Sequence, residues 1–315
     1  MSGKAPGLRG TTCELASILV DGRQSEVQGT VTQRKQRPLR DLSAEDVVAA
    51  AEQNYIDYWR CAGLSPNAEF SETEGVTRCI TGLSQEIFNV VLRCHLSGPD
   101  IEGTIDSLID QFRSRRLNLI WHVGMLTEPK DLGSRLEEKG YPHDYDLTSM
   151  AIDLDSVSHA DRADGSTVKE VVSRKDCSEW ISCLTRSWES PKEVAPWMLG
   201  NACFNVDLER EMRLSLPRKM FLGSLDGVPV SASMLFWSED IAGLQAVGTI
   251  RESRGRGVGG ATVRAALVEA HRMGFRTVVV LSTVEGVGMY KKVGFLPFGK
   301  LPEHSMDFRK AGEPC

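Results

Sequence analysis

The sequence predicts an α/β protein built from two related halves. Three observations carry this. Apolar runs at strand spacing alternate with runs at helix spacing along most of the chain. One order of elements also occurs twice. Leu119-Ile-Trp-His-Val, a helix, Gly140-Tyr141 and Ser149-Met150 are echoed by Val278-Val-Val-Leu-Ser, a helix, Gly294-Phe295 and Ser305-Met306. The Gly-aromatic pairs are 154 residues apart and the Ser-Met pairs 156. Finally, Arg254 to Gly260 places four glycines in six residues between a strand and a helix.

Taken in order, residues 1–40 are polar, with little periodicity, and read as an arm. Ser43 has the character of a helix N-cap, with Asp46 three residues on, before Val47 to Trp59. Val76 to Ile80 and Phe88 to Cys94 read as strands. Ile101 to Arg115 is an amphipathic helix, with Ile101, Ile105, Leu108, Ile109 and Phe112 on one face. A strand at Leu119 to Val123, a helix at Pro129 to Lys139 and a strand at Thr148 to Leu154 follow. The polar stretch 156–167 reads as a linker between a first half, 41–155, and a second, 168–315. The second half opens with a helix from Ser173 to Trp188. Lys219 to Leu225 and Val228 to Trp237 form a hairpin around Asp226-Gly227, a dipeptide that accepts the left-handed backbone of a tight turn. Strands at Leu244 to Ile250 and Thr277 to Leu281 flank the helix Ala261 to Met273. The helix Glu285 to Val293, ended by Gly294, precedes the last strands, Phe295 to Phe308.

Composition limits the functions available. The chain has 315 residues, 41% hydrophobic and 25% charged, as a globular protein has. A net charge of −6 argues against general nucleic-acid binding. No run of about 18 apolar residues is present to span a membrane. The eight cysteines are scattered without paired spacing, so they read as free thiols of a reducing, cytoplasmic compartment. No His/Cys cluster has the spacing of metal ligands.

The glycine loop carries the chemistry. Glycines keep side chains away and let backbone N–H groups converge, and the following helix adds unpaired amides and the positive end of its dipole. Such a turn holds an anion, most often a phosphate or pyrophosphate. The competing reading is an ordinary surface turn. A nicotinamide-binding Rossmann loop is a second alternative, although Gly255-Arg-Gly257-Val-Gly259 lacks the third glycine at its usual place and Glu269 comes too soon for the ribose acid.

Arg254-x-x-Gly257-x-Gly259 resembles the Arg/Gln-x-x-Gly-x-Gly/Ala acyl-CoA-binding motif of the Gcn5-related N-acetyltransferase (GNAT) superfamily. About 35 residues on, Tyr290-Lys291-Lys292-Val293-Gly294-Phe295 resembles the Tyr-x-x-x-Gly-Phe element of its last helix. The resemblance covers residues 168–308 and reaches the first half only through the repeat. It implies two tandem GNAT-like domains, each a mixed, mainly antiparallel sheet flanked by helices. It also implies acetyl-CoA as co-substrate and the amine of a small molecule as acceptor, in a monomer or homodimer without nucleic-acid or membrane partners. Cofactor contacts would then come from Val247, Gly248 and Thr249 on the strand and from Arg254, Gly255, Arg256, Gly257, Val258, Gly259 and Gly260 on the loop.

Tyr290 would protonate the leaving thiolate, and the competing reading is a core aromatic. Glu239, Asp240 and Glu285 are the carboxylates near enough in sequence to serve as base, with a water relay as the alternative; Glu285 is the one retained as a site residue. Trp188, Trp197, Trp237, Phe204 and Phe221 are candidates to line an acceptor pocket, against core packing. His122 reads as a strand residue with a satisfied partner rather than a base, and Cys203 has no identifiable histidine partner. In the first half the glycine loop is missing between Asp106 and Trp121, where Arg113-Ser-Arg-Arg116 stands, so its cofactor site is expected to have decayed. The second half departs from the motif where Glu285 and Val287 stand in place of an Asn and an Ala. A protein that binds acyl-CoA without turnover would suit both departures.

Overall fold

The computed structural model describes residues 37–308 except 67, 74, 158–164 and 239–240. The first half opens with helix α1 (Ala44–Ala62), started by a capping box in which Ser43 and Asp46 satisfy each other's backbone amides. Strands β1 (Glu69–Glu72), β2 (Val76–Ile80) and β3 (Asn89–Cys94) lead to α2 (Ile101–Arg113). Then come β4 (Leu119–His122), the short α3 (Leu132–Glu138) and β5 (His143–Asp153). The second half runs β6 (Ser166–Glu170), α4 (Arg174–Ser187), α5 (Val194–Leu199) and α6 (Val206–Glu211). It continues with the hairpin β7 (Arg218–Leu225) and β8 (Val228–Trp237), then β9 (Ala242–Thr249), α7 (Val258–Arg272), β10 (Thr277–Ser282), α8 (Val284–Val293) and β11 (Leu296–Met306).

Asp226 and Gly227 both have positive φ, 51° and 81°, as their hairpin requires. The helix at Pro129 starts later than its sequence suggests, at Leu132, and the tail expected to hold several strands is one long strand. Strands β1 and β6 and the helices α5 and α6 were not legible in the sequence; β6 begins inside the stretch read as a linker, most of which lies outside the described residues.

The eleven strands found among the described residues share one sheet, in the order β1-β2-β3-β4-β11-β5-β10-β9-β8-β7-β6. Only β3/β4 and β9/β10 pair in parallel. This mainly antiparallel order is not the doubly wound parallel sheet of a Rossmann fold, which removes the basis of the nicotinamide reading. The order also shows an exchange. β5, the last strand of the first half, lies against β10 of the second, and β11, the last of the second, lies against β4 of the first. The exchanged strands pair with each other, and Leu147 faces Leu301, residues that are themselves 154 apart. The two sheets expected from the repeat are therefore one continuous sheet.

Helices cover both faces. On one face of the second half, α7 buries Val263, Ala266 and Leu267 against Leu235, Leu244 and Val280. On the other, α4 packs Trp180 and Leu184 with Met234 and Phe236 in a core that also takes in Ile56, Tyr58 and Trp59 of α1 and Val90 and Leu92 of β3. That shared core joins the halves. A buried polar link adds to it: Asn54 of α1 donates to the Phe236 carbonyl (3.2 Å) and accepts from Gln245 (2.9 Å). α1 seats so closely here that a Cβ on Gly243 would lie 2.1 Å from Asn54 Oδ1. The six described cysteines are buried and free, which agrees with unpaired thiols; Cys13 and Cys315 lie outside the described residues.

Candidate active site

Strands β9 and β10 touch only at their start, where Ala242 and Gly243 face Val278 and Val279. Beyond that point they part, and a cavity of about 1200 Å³ opens along the gap. A site for a single small ligand usually has roughly 300–1,000 Å³. The volume therefore suits two substrates side by side.

One wall is β9, which carries a bulge. Its pairing with β8 shifts between Ala232/Gly248 and Met234/Gln245, so Ala246 and Val247 both oppose Ser233. Ala246 takes a left-handed backbone, φ 48°, a rare conformation for a residue with a side chain. The carbonyl of Ser233, opposite the bulge, accepts from the Trp180 indole (3.1 Å). The bulge and the parting of β9 from β10 put this backbone segment at the cavity wall. Val247, Gly248 and Thr249 all line the cavity.

The glycine loop closes this end. Gly255 and Gly257 have φ of 77° and 82°, which only glycine adopts readily. Gly257 is the N-cap of α7 and offers no side chain to its amides. The first intrahelical bond runs from the Ala261 N–H to the Gly257 carbonyl (3.0 Å), so the amides of Val258, Gly259 and Gly260 precede it. Gly255, Gly257, Gly259 and Gly260 line the cavity, while the Val258 side chain is buried beneath the loop and Arg256 turns to Asp226 (3.3 Å). Arg254 also lines the cavity. Its guanidinium donates to the carbonyls of Thr249 (3.1 Å) and Ser187 (3.0 Å), so it braces the loop at the cavity wall.

The first half provides a contrast. Its strand-to-helix loop is His95 to Asp100, between β3 and α2, and not the Arg113 region, which follows α2. At the N-terminus of α2, Asp100 places its own carboxylate on the Gly103 amide (2.9 Å). The anion site of this helix is occupied by the protein itself.

On the other wall, Tyr290 of α8 is 5% exposed and packs edge-on against Phe295 (5.3 Å). Burial holds its hydroxyl proton well above the usual range, so it stays protonated at neutral pH. Tyr290 packs in the core, as one of its sequence readings has it, and also lines the cavity. Glu285 lies exposed in the first turn of α8, at the rim, with Ser282 and Thr283 beside it. Glu239 and Asp240 lie outside the described residues.

The far end of the cavity belongs to the first half. Tyr55, Tyr58 and Trp59 of α1, Phe88, Ile120 and Tyr145 line it. Of the aromatics expected there, Trp188 lines the cavity; Trp197 and Phe204 pack in the shared core, and Phe221 and Trp237 in the core under α7. Trp197 and Phe204 are drawn inward by ring contacts with each other at 5.9 Å and by Phe88 at 5.4 Å from Trp197. Sequence reasoning missed Glu303. This β11 carboxylate is 2% exposed, lines the cavity and lies 3.1 Å from His122 Nδ1. His122, 1% exposed, is a strand residue as read, but although Glu303 is 3.1 Å away neither ring nitrogen makes a well-aligned hydrogen bond among the described residues, so the satisfied partner expected of it is not found. The available signal was the alternation of β11, which puts Glu303 on the same side as buried Leu301.

Residues 182–295 match the model of the acetyltransferase (GNAT) family. The matched stretch is a GNAT domain that lies within the second half of the chain. No curated protein is similar in sequence. Solved structures share the fold at low identity. A GCN5-related N-acetyltransferase from Kribbella flavida superposes with a TM-score of 0.58 at 13% identity, over 83% of this chain and 95% of its own. One from Sphaerobacter thermophilus gives 0.55 at 16%, over 87% and 95%. A GCN5-related glucosamine N-acetyltransferase region of a fungal multi-domain β-N-acetylglucosaminidase gives 0.56 at 13%, over 84% of this chain and 37% of that one. The GNAT domain thus contains the β9 bulge, the glycine loop and Tyr290. Among the described residues no helix is long and apolar enough to cross a membrane, and no cluster of side chains has the makings of a metal site.

Proposed function

We propose that the protein transfers the acetyl group of acetyl-CoA to the amine of a small molecule, by direct attack within a ternary complex. The observation that carries this is the uncapped glycine turn of α7 opening onto the same cavity as the β9 bulge and Tyr290. The amides of Val258, Gly259 and Gly260 take the pyrophosphate, aided by the helix dipole. The loop suits such a ligand because a Cβ on Gly259 would lie 2.7 Å from Thr249 Oγ1, so this approach is kept free of side chains. Arg254 contributes by fixing the loop and Arg256 by adding positive potential nearby.

The bulged segment Ala246 to Thr249 presents amides to the thioester, where a donor stabilises the oxyanion that develops on attack. The amine nitrogen forms the new C–N bond and the C–S bond breaks. Tyr290 gives its proton to the departing thiolate, and the ammonium proton passes to a carboxylate of the wall, for which Glu285 is the candidate at the rim. Burial favours the neutral tyrosine, and that same preference makes it a donor held ready rather than a group already spent. The two halves have separate tasks on this reading: residues 168–308 bind acetyl-CoA, while 41–155 have lost that role and shape the acceptor end.

Titration calorimetry with acetyl-CoA, followed by thiol release with a panel of primary amines, tests the proposal. Micromolar binding and amine-dependent thiol release are expected. Binding without release by any amine would favour a protein that carries acyl-CoA without turnover.

A further inference from the structure

We propose that the acceptor is a primary ammonium compound with an apolar body, and that Glu303 is the residue that recognises its charge. This rests on the acetyltransferase reading and names its second substrate.

Three carboxylates line the cavity among the described residues. Glu189 and Glu285 are exposed, and Glu189 is engaged by Arg251 at 3.5 Å. Glu303 is buried. One of its oxygens faces His122 and the Tyr145 hydroxyl lies against the carboxyl, but Oε2 has no well-aligned hydrogen bond among the described residues. A carboxylate removed from water with one oxygen unmatched is expensive unless a donor or cation arrives. The nearby buried acid Glu52 marks the difference, because it accepts from the Leu126 amide (3.1 Å). Glu303 has an open place and faces the cavity.

The surroundings select what fills that place. Tyr55, Tyr58, Trp59 and Phe88 present ring faces and edges, and Ile120 and Tyr145 complete the wall. Tyr55 meets His122 edge-on at 5.3 Å and stacks on Tyr58 at 6.3 Å, so the rings are held as one layer beside the carboxylate. Aromatic faces attract cations and exclude anions, and they cover apolar carbon. The cationic side chains of the cavity, Arg254, Arg264 and Lys292, come from the loop, α7 and α8, at the acetyl-CoA end. An anionic acceptor would have to leave them for a carboxylate, and a sugar-like one would set its hydroxyls against rings.

The placement is also suitable for transfer. Asn54, held on Gln245 just before the β9 bulge, is one helical turn ahead of Tyr58, and Tyr55 follows it directly. The aromatic layer thus bridges the bulge and the His122–Glu303 pair. The bound ammonium first gives one proton to Glu303, which frees the nitrogen lone pair to attack. The C–N bond then forms and the C–S bond breaks, Tyr290 gives its proton to the thiolate, and the second proton lost by the nitrogen restores Tyr290. Net, ammonium and thioester become amide and thiol, and the one proton left over leaves by way of Glu303. Glu303 replaces exposed Glu285 in this role. Both recognition and base are provided by a strand that the second half lends to the first.

The test uses the full chain saturated with CoA, and titrates phenethylamine, 3-phenylpropan-1-ol and 3-phenylpropanoate. These share an aromatic body and differ in charge. The expected result is binding of phenethylamine at least tenfold tighter than of either other probe. In Glu303→Gln that preference falls by tenfold or more while CoA affinity stays within twofold, and turnover of phenethylamine falls at least 100-fold in kcat/KM. Equal binding of all three probes, tighter binding of the carboxylate, or an unchanged preference in the Gln variant overturns the inference. The probe comparison needs only the unaltered chain, so it decides even if the variant does not fold. Failure to bind CoA would instead strike at the acetyltransferase reading.

Discussion

Giving the second half the cap that closes the first should close its anion site. At α2, Asp100 occupies the helix N-terminus with its own carboxylate; at α7, Gly257 leaves it open. Gly257→Asp copies the first arrangement onto the second. The aspartate would reach the amide three residues on, as Asp100 reaches Gly103 at 2.9 Å. Two effects on stability oppose each other. A good N-cap contributes about 1 kcal/mol, while a side chain at φ 82° costs about 1–2 kcal/mol. The melting temperature should therefore move little. Acetyl-CoA affinity should not be spared. Hydrogen bonds to a charged group contribute roughly 1.5–3 kcal/mol each, and the new carboxylate takes one amide and repels the phosphates. A loss of about 3 kcal/mol or more follows, which is at least 100-fold in Kd. Gly257→Asn carries the same shape without charge and should lose less. Calorimetric titration measures all three. If Gly257→Asp binds acetyl-CoA within threefold of the parent and keeps its fold, the pyrophosphate does not sit on α7 and the reasoning fails.

The remaining predictions concern the opposite wall, the join and the acid limb of stability. Tyr290→Phe should lower kcat by about 100-fold, as loss of a general acid does, and leave acetyl-CoA affinity unchanged; thiol-release kinetics beside calorimetry would show both. Asn54→Leu would strand the Phe236 carbonyl and the Gln245 amide at about 1–3 kcal/mol each, read as a lower urea midpoint. Arg272, with Lys219, holds the Glu269 carboxyl down at about 2 against an opposing effect of burial. A depressed carboxyl stabilises the fold above its ordinary value of 4.5, and that contribution fades as pH falls towards about 2. The shift corresponds to at most about 3 kcal/mol, and roughly half that after screening of a partly exposed group. Glu269→Gln should thus lower stability at pH 7 and match the parent near pH 2; an equal deficit at both would contradict it.

Local chemistry was what the sequence displayed best. Ser43 with Asp46, Ser173 before α4, Asp226-Gly227 and Gly294 each announce themselves, because caps and turns are decided by adjacent residues. The glycine loop was legible for the same reason, and so was the repeat around Gly140 and Gly294. What the sequence concealed depends on partners far along the chain. Nothing in β5 or β11 states which sheet it joins, since an apolar strand suits any apolar neighbour. The first-half loop was sought beside Arg113 because the downstream elements set the alignment; the cluster Ser97-Gly98-Pro99-Asp100 was the better sign of a strand passing into a helix. Arg254 looked like a phosphate ligand, and only the fold reveals that two carbonyls claim it. Glu303 and His122 lie 181 residues apart, and their meeting is a product of the exchange.

That exchange also determines how the molecule comes apart. With β5 seated between β10 and β11, neither half can lose its last strand without uncovering the other's edge. Melting should proceed as one cooperative event rather than two. A ligand on the second half would stabilise the whole unit by RT ln(1 + [L]/Kd) and so raise the temperature at which the first half opens. Trp121, buried in the core under α2 far from the glycine loop, would then report acetyl-CoA binding through its fluorescence as the chain is heated.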